Sequence, residues 1–255
     1  MLFSVPRSFF RSSLAAALLL GAAVAQAEPA RLDDGTEPAA SAAYRAALAQ
    51  WQPELDAFAA ADRAQPPAAD GVLFVGSSTI RMWRSVAQDF HELPVVINRG
   101  FGGSTMTDCA LFAQDLVARY RPRHVLVYAG DNDLAEGHTP LQVLHDFARF
   151  ARTVREALPG ARISFISIKP SPSREALLPQ IREANHMVAA YLRTQANTDY
   201  IDVFTPMMAA DGRPRGELFR ADRLHMNAAG YRLWQGVIAP HVPAGGAPPT
   251  AAMHR

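Results

Sequence analysis

The chain has 255 residues, a length that suits one domain, and its 49% hydrophobic and 19% charged residues argue for a packed core and against disorder. Basic and acidic side chains number 25 and 24, so the formal charge is +1 and the basic excess of a nucleic-acid binder is absent. Cys109 is the single cysteine, which excludes an intrachain disulfide and a cysteine-based zinc site, and Lys169 is the single lysine.

Residues 1–27 read as a secretory signal peptide. Arg7 and Arg11 give a positive start, Leu14 to Ala25 is apolar and uncharged, and Ala25-Gln26-Ala27 is a small-x-small cleavage site. The apolar run falls short of the roughly 20 helical residues that span a bilayer, and an uncleaved N-terminal anchor is the alternative reading. The mature chain is expected to begin near Glu28, in the periplasm or outside the cell, with no stable membrane anchor. Residues 28–70 form an N-terminal lead-in. Glu28 to Pro38 reads as loose, Ala43 to Ala61 as a helix interrupted by Pro53, and Ala64 to Asp70 as a loop.

Residues 71–239 alternate between two patterns. Short apolar runs lie at Val72–Val75, Val95–Ile97, Val125–Tyr128, Ile163–Ile168 and Tyr200–Val203, as expected of strands buried on both faces. Helical spacing lies between them. Its clearest instance starts with Thr139 as cap and Pro140 at the first position, and carries Val143, Leu144, Phe147, Phe150, Val154 and Leu158 before Pro159-Gly160. Thr107–Arg119, Arg174–Arg193 and Asn227–Val237 are the other candidates. Strands alternating with helices predict an α/β fold with a parallel sheet covered on both faces. In such sheets ligands bind beyond the carboxyl ends of the strands. Residues 240–255, rich in Pro, Gly and Ala, read as a flexible tail.

Three polar clusters follow predicted strands, and a fourth precedes the last helix. Gly76-Ser77-Ser78-Thr79 after the first strand suits a serine at a helix N-terminus, as nucleophile or plain cap. Gly100-Phe101-Gly102-Gly103-Ser104-Thr105 after the second lets backbone amides approach a ligand, or is an ordinary turn. It lacks the third glycine of a dinucleotide fingerprint and the Gly-Lys-Ser/Thr of a phosphate loop. Gly130-Asp131-Asn132-Asp133 after the third offers an amide donor, a hard-metal pair or helix caps. Asp222 and His225 lie three apart, expected on one side of a helical turn, where the carboxylate can orient the imidazole or the two form a plain surface ion pair. The remaining histidines read blandly: His91 and His138 in loops, His124 at a strand edge, His145 and His186 on helix faces. Together the clusters supply a serine, a base with its orienting acid, and oxyanion donors, which make up an acyl-transfer site.

These blocks, from about Gly71 to Tyr231, resemble those of the SGNH (GDSL-type) hydrolase superfamily, and Asn98-x-Gly100-x-Gly102-Gly103 is similar to its platelet-activating-factor acetylhydrolase-like members. The resemblance implies a three-layer α/β/α sandwich, flavodoxin-like, with strand order 2-1-3-4-5. It implies Ser78, Asp222 and His225 as catalytic residues and the Ser78 amide, the Gly103 amide and Asn132 as the oxyanion hole, with no cofactor and no metal. The family's Gly-Asp-Ser is Gly76-Ser77-Ser78 here, so Ser77 is the alternative nucleophile; the offset from Gly76 favours Ser78. Asp131 stands where threonine is frequent, and is expected to point away from the hole or to cap the next turn. Lys169 to Arg174 is either a wall of the pocket or a Pro-stiffened loop, and Trp83 is expected to pack rather than to hold a sugar. The implied function is an exported esterase for short acyl groups, acting on a small-molecule or glycan ester. Alternatives are an acyltransferase on the same triad, a lipase, lysophospholipase or thioesterase, and a binding module with an idle site.

Overall fold

The computed structural model describes residues 36–243. The expected signal peptide, residues 28–35 of the lead-in and residues 244–255 of the tail lie outside the described residues. Five parallel strands form one sheet: β1 (Val72–Gly76), β2 (Val96–Gly100), β3 (His124–Tyr128), β4 (Arg162–Ile166) and β5 (Thr198–Ile201). Their order is β2-β1-β3-β4-β5, as the sequence led us to expect. The central strands β1 and β3 are buried at every residue, whereas the edge strands β2 and β5 are only partly covered. That is why β1 and β3 read as unbroken apolar runs.

Nine α-helices connect and flank the strands: α1 (Thr36–Ala64), α2 (Ser78–Arg81), α3 (Val86–Asp89), α4 (Met106–Leu111), α5 (Ala113–Leu116), α6 (Asp131–Ala135), α7 (Pro140–Ala157), α8 (Leu178–Leu192) and α9 (Ala228–Ile238), among the described residues. Alternate strand residues feed two cores. Leu73, Val75, Val125, Val127, Ile163 and Phe165 face α1, α4, α5, α7 and α8. Val72, Phe74, Leu126, Tyr128 and Ile201 face α2, α3 and α9. Trp83 sits in the second core among Phe74, Phe90, Tyr231 and Trp234, and its Nε1 donates to Asp89 at 2.6 Å. It packs, as expected, and offers no sugar platform.

Several boundaries differ from the sequence reading. The first helix runs from Thr36 through Pro53 to Ala64 without interruption. Tyr44, Ala47, Leu48, Trp51, Leu55 and Phe58 form a helical stripe against the core, and that burial outweighs the lost hydrogen bond at Pro53. The helix expected over 107–119 breaks at Phe112 and Val117, both fully buried. The helix expected from Arg174 begins at Leu178, with Pro179 in its first turn, and residues 172–177 form a 3₁₀ turn. His124 lies at the start of the central strand β3, buried, with Nε2 2.7 Å from Ser164 Oγ. Ala239–His241 forms a 3₁₀ turn, and Val242 is buried in the second core.

The order β2-β1-β3 places a topological switch between β1 and β3. The chain leaves β1 on one face of the sheet and leaves β3 on the other, so a crevice opens at their carboxyl ends. Ser78 follows β1 and Asn132 follows β3, so both stand at that crevice.

Candidate active site

The turn after β1 is shaped by Gly76. Its φ is +141°, and a Cβ there would stand 1.8 Å from the Tyr128 carbonyl oxygen of β3. Only glycine lets the backbone turn so close to the neighbouring strand. Ser77 follows as the residue before α2, with its amide donating to Tyr128 O at 3.0 Å and its side chain buried. Ser78 is the first residue of α2, so its N–H has no partner within the helix and its side chain stands at the positive end of a short helix.

Ser78 Oγ lies 3.0 Å from His225 Nε2. His225 Nδ1 lies 2.8 Å from Asp222 Oδ2. The other carboxylate oxygen, Oδ1, accepts the backbone N–H groups of Leu224 and His225, each at 2.9 Å. The expected helical turn is absent here. Asp222 instead closes a side-chain-to-backbone turn around Arg223, whose φ is +57°. This fixes the imidazole from below while leaving Nε2 free to face the serine. Those backbone bonds, together with the imidazole, hold the Asp222 carboxyl down at about 2, although it is largely exposed.

The loop after β2 is tied down at both ends. Gly103 has φ +84°, a left-handed conformation that favours glycine, and its open side faces Trp51 of α1. Ser104 is fully buried and its Oγ donates to Phe101 O at 3.0 Å. Thr105 then begins α4 with a reciprocal capping box to Asp108.

Asp131, Asn132 and Asp133 are one residue apart and do three different things. Asp133 is buried, and both its oxygens accept the Met106 N–H at the start of α4, at 2.8 and 3.0 Å. It caps a helix other than its own, and burial pushes its carboxyl up to about 6. Asn132 Nδ2 donates to Ser104 O at 3.0 Å, joining the β3 turn to the glycine loop. Asp131 points away from that loop: Oδ2 meets Lys169 Nζ at 2.8 Å and Arg174 Nη1 at 3.2 Å. The two aspartates therefore do not converge as a metal pair. Asp133, His138 and Asp146 do bring ligand atoms within 4.8 Å of one another, but Asp133 is already engaged by the Met106 amide and Asp146 by Thr107 and Arg149.

Arg174 ends the segment that the sequence offered as a wall of the pocket, but no role in the catalytic site or oxyanion hole was expected of it. Its Nη2 donates to Asn132 Oδ1 at 2.9 Å. The segment that carries it is also hung on the Asp222–His225 loop, because the Ser173 N–H donates to Arg223 O at 3.0 Å. The end of the Lys169–Arg174 segment thus touches both Asn132 and the Asp222–His225 loop, and the hint the sequence offered was its place after the fourth strand at the same edge of the sheet.

A serine–histidine–aspartate relay at the switch crevice of an α/β/α sheet, beside a glycine loop and an asparagine amide, defines the class of SGNH hydrolases. The GDSL-like Lipase/Acylhydrolase family model matches residues 68–233, and the chain belongs to this family of carboxylic-ester hydrolases. Solved structures agree in fold. A Streptococcus pneumonia protein provisionally described as a platelet activating factor superposes with a TM-score of 0.66 at 17% identity, covering 80% of this chain and 98% of that one. A GDSL-like lipase from Bacteroides thetaiotaomicron gives 0.64 at 20% identity, covering 73% and 95%. A mutant form of an acetyl-xylooligosaccharide esterase from Geobacillus Stearmophilus gives 0.57 at 14% identity, covering 68% and 94%. No curated protein matches the chain in sequence.

Proposed function

We propose that this hydrolase is an exported serine esterase for short acyl groups, acetyl above all, with Ser78 as nucleophile. The observation that carries this reading is the relay from Ser78 Oγ to His225 Nε2 and on to Asp222, at 3.0 and 2.8 Å. His225 takes the Ser78 proton as Oγ attacks the ester carbonyl, and Asp222 stabilises the imidazolium that forms. The Ser78 and Gly103 amides and the Asn132 side chain receive the oxyanion. His225 then protonates the leaving alcohol. In the second half, His225 activates water against the acyl-enzyme, which releases the acid and restores the serine. The chain's own groups complete this cycle.

Short acyl chains are favoured because no long apolar lid segment is visible in the sequence. The fold likeness to an acetyl-xylooligosaccharide esterase favours a glycan ester in the same direction. Export rests on the N-terminal pattern of residues 1–27. No helix among the described residues is long and apolar enough to cross a membrane.

The test is hydrolysis of p-nitrophenyl acetate, butyrate and octanoate, and of acetylated xylooligosaccharide, by the chain starting at Glu28. Turnover should fall as the acyl chain lengthens, and added alcohol should leave acid as the main product. A preference for octanoate contradicts the short-acyl reading. Transfer to the added alcohol in place of hydrolysis supports the acyltransferase alternative.

A further inference from the structure

Asn132 presents a chemical problem to an oxyanion hole. A carboxamide has a donor end and an acceptor end of nearly the same shape, and a flip would turn a lone pair toward the developing negative charge. Two neighbours settle its orientation. Ser104 O can only accept, and lies 3.0 Å from Nδ2. The Arg174 guanidinium can only donate, and lies 2.9 Å from Oδ1. Nδ2 spends one of its two hydrogens on Ser104 and keeps the other.

The guanidinium is itself held. Arg174 Nη1 stands 3.2 Å from Asp131 Oδ2, the same oxygen that meets Lys169 Nζ at 2.8 Å. Lys169 Nζ also donates to Tyr128 Oη at 3.0 Å. Lys169, Asp131 and Tyr128 are buried, and the Arg174 side chain is largely so. Burial drives the Asp131 carboxyl up, but Lys169 and Arg174 more than offset it, so it stays ionised. The chain's single lysine is therefore set in the interior, against the carboxylate that anchors Arg174.

We propose that Arg174 is a positioning residue for the oxyanion hole: its guanidinium, anchored by the buried Asp131–Lys169 pair, locks the Asn132 carboxamide with Nδ2 toward the oxyanion. This rests on the esterase reading above. A donor on Oδ1 also polarises the amide and cooperatively strengthens the hydrogen bond that Nδ2–H donates. That gain grows with the charge on the substrate oxygen, so it belongs to the transition state and appears in kcat.

The experiment measures kcat and KM for p-nitrophenyl acetate with Arg174→Ala, Arg174→Lys, Arg174→Gln, Asn132→Ala and the Arg174→Ala/Asn132→Ala pair, with folding checked by near-UV circular dichroism. Arg174→Ala should lower kcat about 10- to 100-fold, below the loss of an oxyanion donor outright, and leave KM within about three-fold. Arg174→Lys should retain more than Arg174→Ala, and millimolar guanidinium should restore part of the Arg174→Ala loss. If Arg174→Ala does not fold, Arg174→Gln carries the same comparison. The double variant should be no slower than Asn132→Ala, because Arg174 acts through that side chain. The proposal is overturned if the losses multiply, if they appear in KM alone, or if Arg174→Ala and Arg174→Gln keep wild-type kcat. In each of these cases Ser78-dependent turnover in the wild type leaves the esterase reading standing. A wild type inert on every ester overturns both.

Discussion

At the scale of single residues, chemistry was legible and contacts were not. Residue type and position beyond a strand or before the last helix marked the four polar clusters, and the resemblance to SGNH hydrolases picked Ser78, Gly103, Asn132, Asp222 and His225 out of them. Their geometry is a different matter. Asp222 to His225 was expected as a helical turn from its spacing alone, yet Asp222 Oδ1 captures two backbone amides and leaves Arg223 left-handed. Local side-chain capture of the backbone competes with helix and won here. The contact of Arg174 with Asn132 was not legible for a plainer reason. Arg174 is 42 positions from Asn132, and nothing in either local pattern ties them. Ser77 illustrates the converse: the offset from Gly76 already favours Ser78 in the sequence, and it is the Ser78 side chain that stands 3.0 Å from an imidazole while that of Ser77 is buried.

At the scale of elements, the strands were read well and the helices less well. A strand buried on both faces needs an unbroken apolar run, which is visible at once; helix ends depend on packing that is not. The long first helix shows the difference. Pro53 argues for a break, at a cost of about 3 kcal/mol in a helix interior. The stripe from Tyr44 to Phe58 and the links from Tyr44 Oη to Asp115 and from Asp62 to Tyr120 and Arg99 hold it straight through. This helix precedes the family-matched residues 68–233, yet Trp51 packs edge-on against Phe101, with ring centroids 5.0 Å apart, at the start of the glycine loop. Removing that side chain leaves a cavity, partly offset because the buried Trp51 Nε1 has no hydrogen-bond partner. Trp51→Ala should destabilise by about 3 kcal/mol, read by urea unfolding, and should slow ester turnover by loosening Gly103. A stability loss under about 1 kcal/mol with unchanged turnover contradicts the view that α1 supports the site.

At the scale of the whole molecule, five strands and a parallel sheet were legible in the alternation of patterns, while the strand order came from the resemblance to SGNH hydrolases. The interior charges were not legible, because their cost and compensation depend on the assembled fold. His124 is the clearest case. Burial, with help from the Arg162 charge, lowers its imidazole to about 3, so it is neutral in the folded chain. The unfolded chain takes up a proton near 6.5 while the folded one does not until near 3. Stability is therefore lost as pH falls through that window, by up to ~1.4 kcal/mol per pH unit. Asp133, raised to about 6, acts the other way between about 6 and its ordinary value of 3.8, since the folded form then binds the proton first. Comparison with His124→Gln isolates the histidine. The variant, weaker at pH 7 through lost packing, should close on the wild type by about 2 kcal/mol between about pH 6.5 and 4.5 in urea unfolding. A gap that stays constant over that range contradicts a neutral buried His124.

The central claim is that Ser78 is the nucleophile in a site made of both faces of the switch crevice. It is tested most directly by labelling with a fluorophosphonate, which an activated serine attacks to form a stable adduct, followed by peptide mass mapping in the wild type, Ser78→Ala and Ser77→Ala. One equivalent of label on Ser78, lost in Ser78→Ala and kept in Ser77→Ala together with ester turnover, is the result expected. Label on Ser77, or full labelling and turnover in Ser78→Ala, contradicts the account.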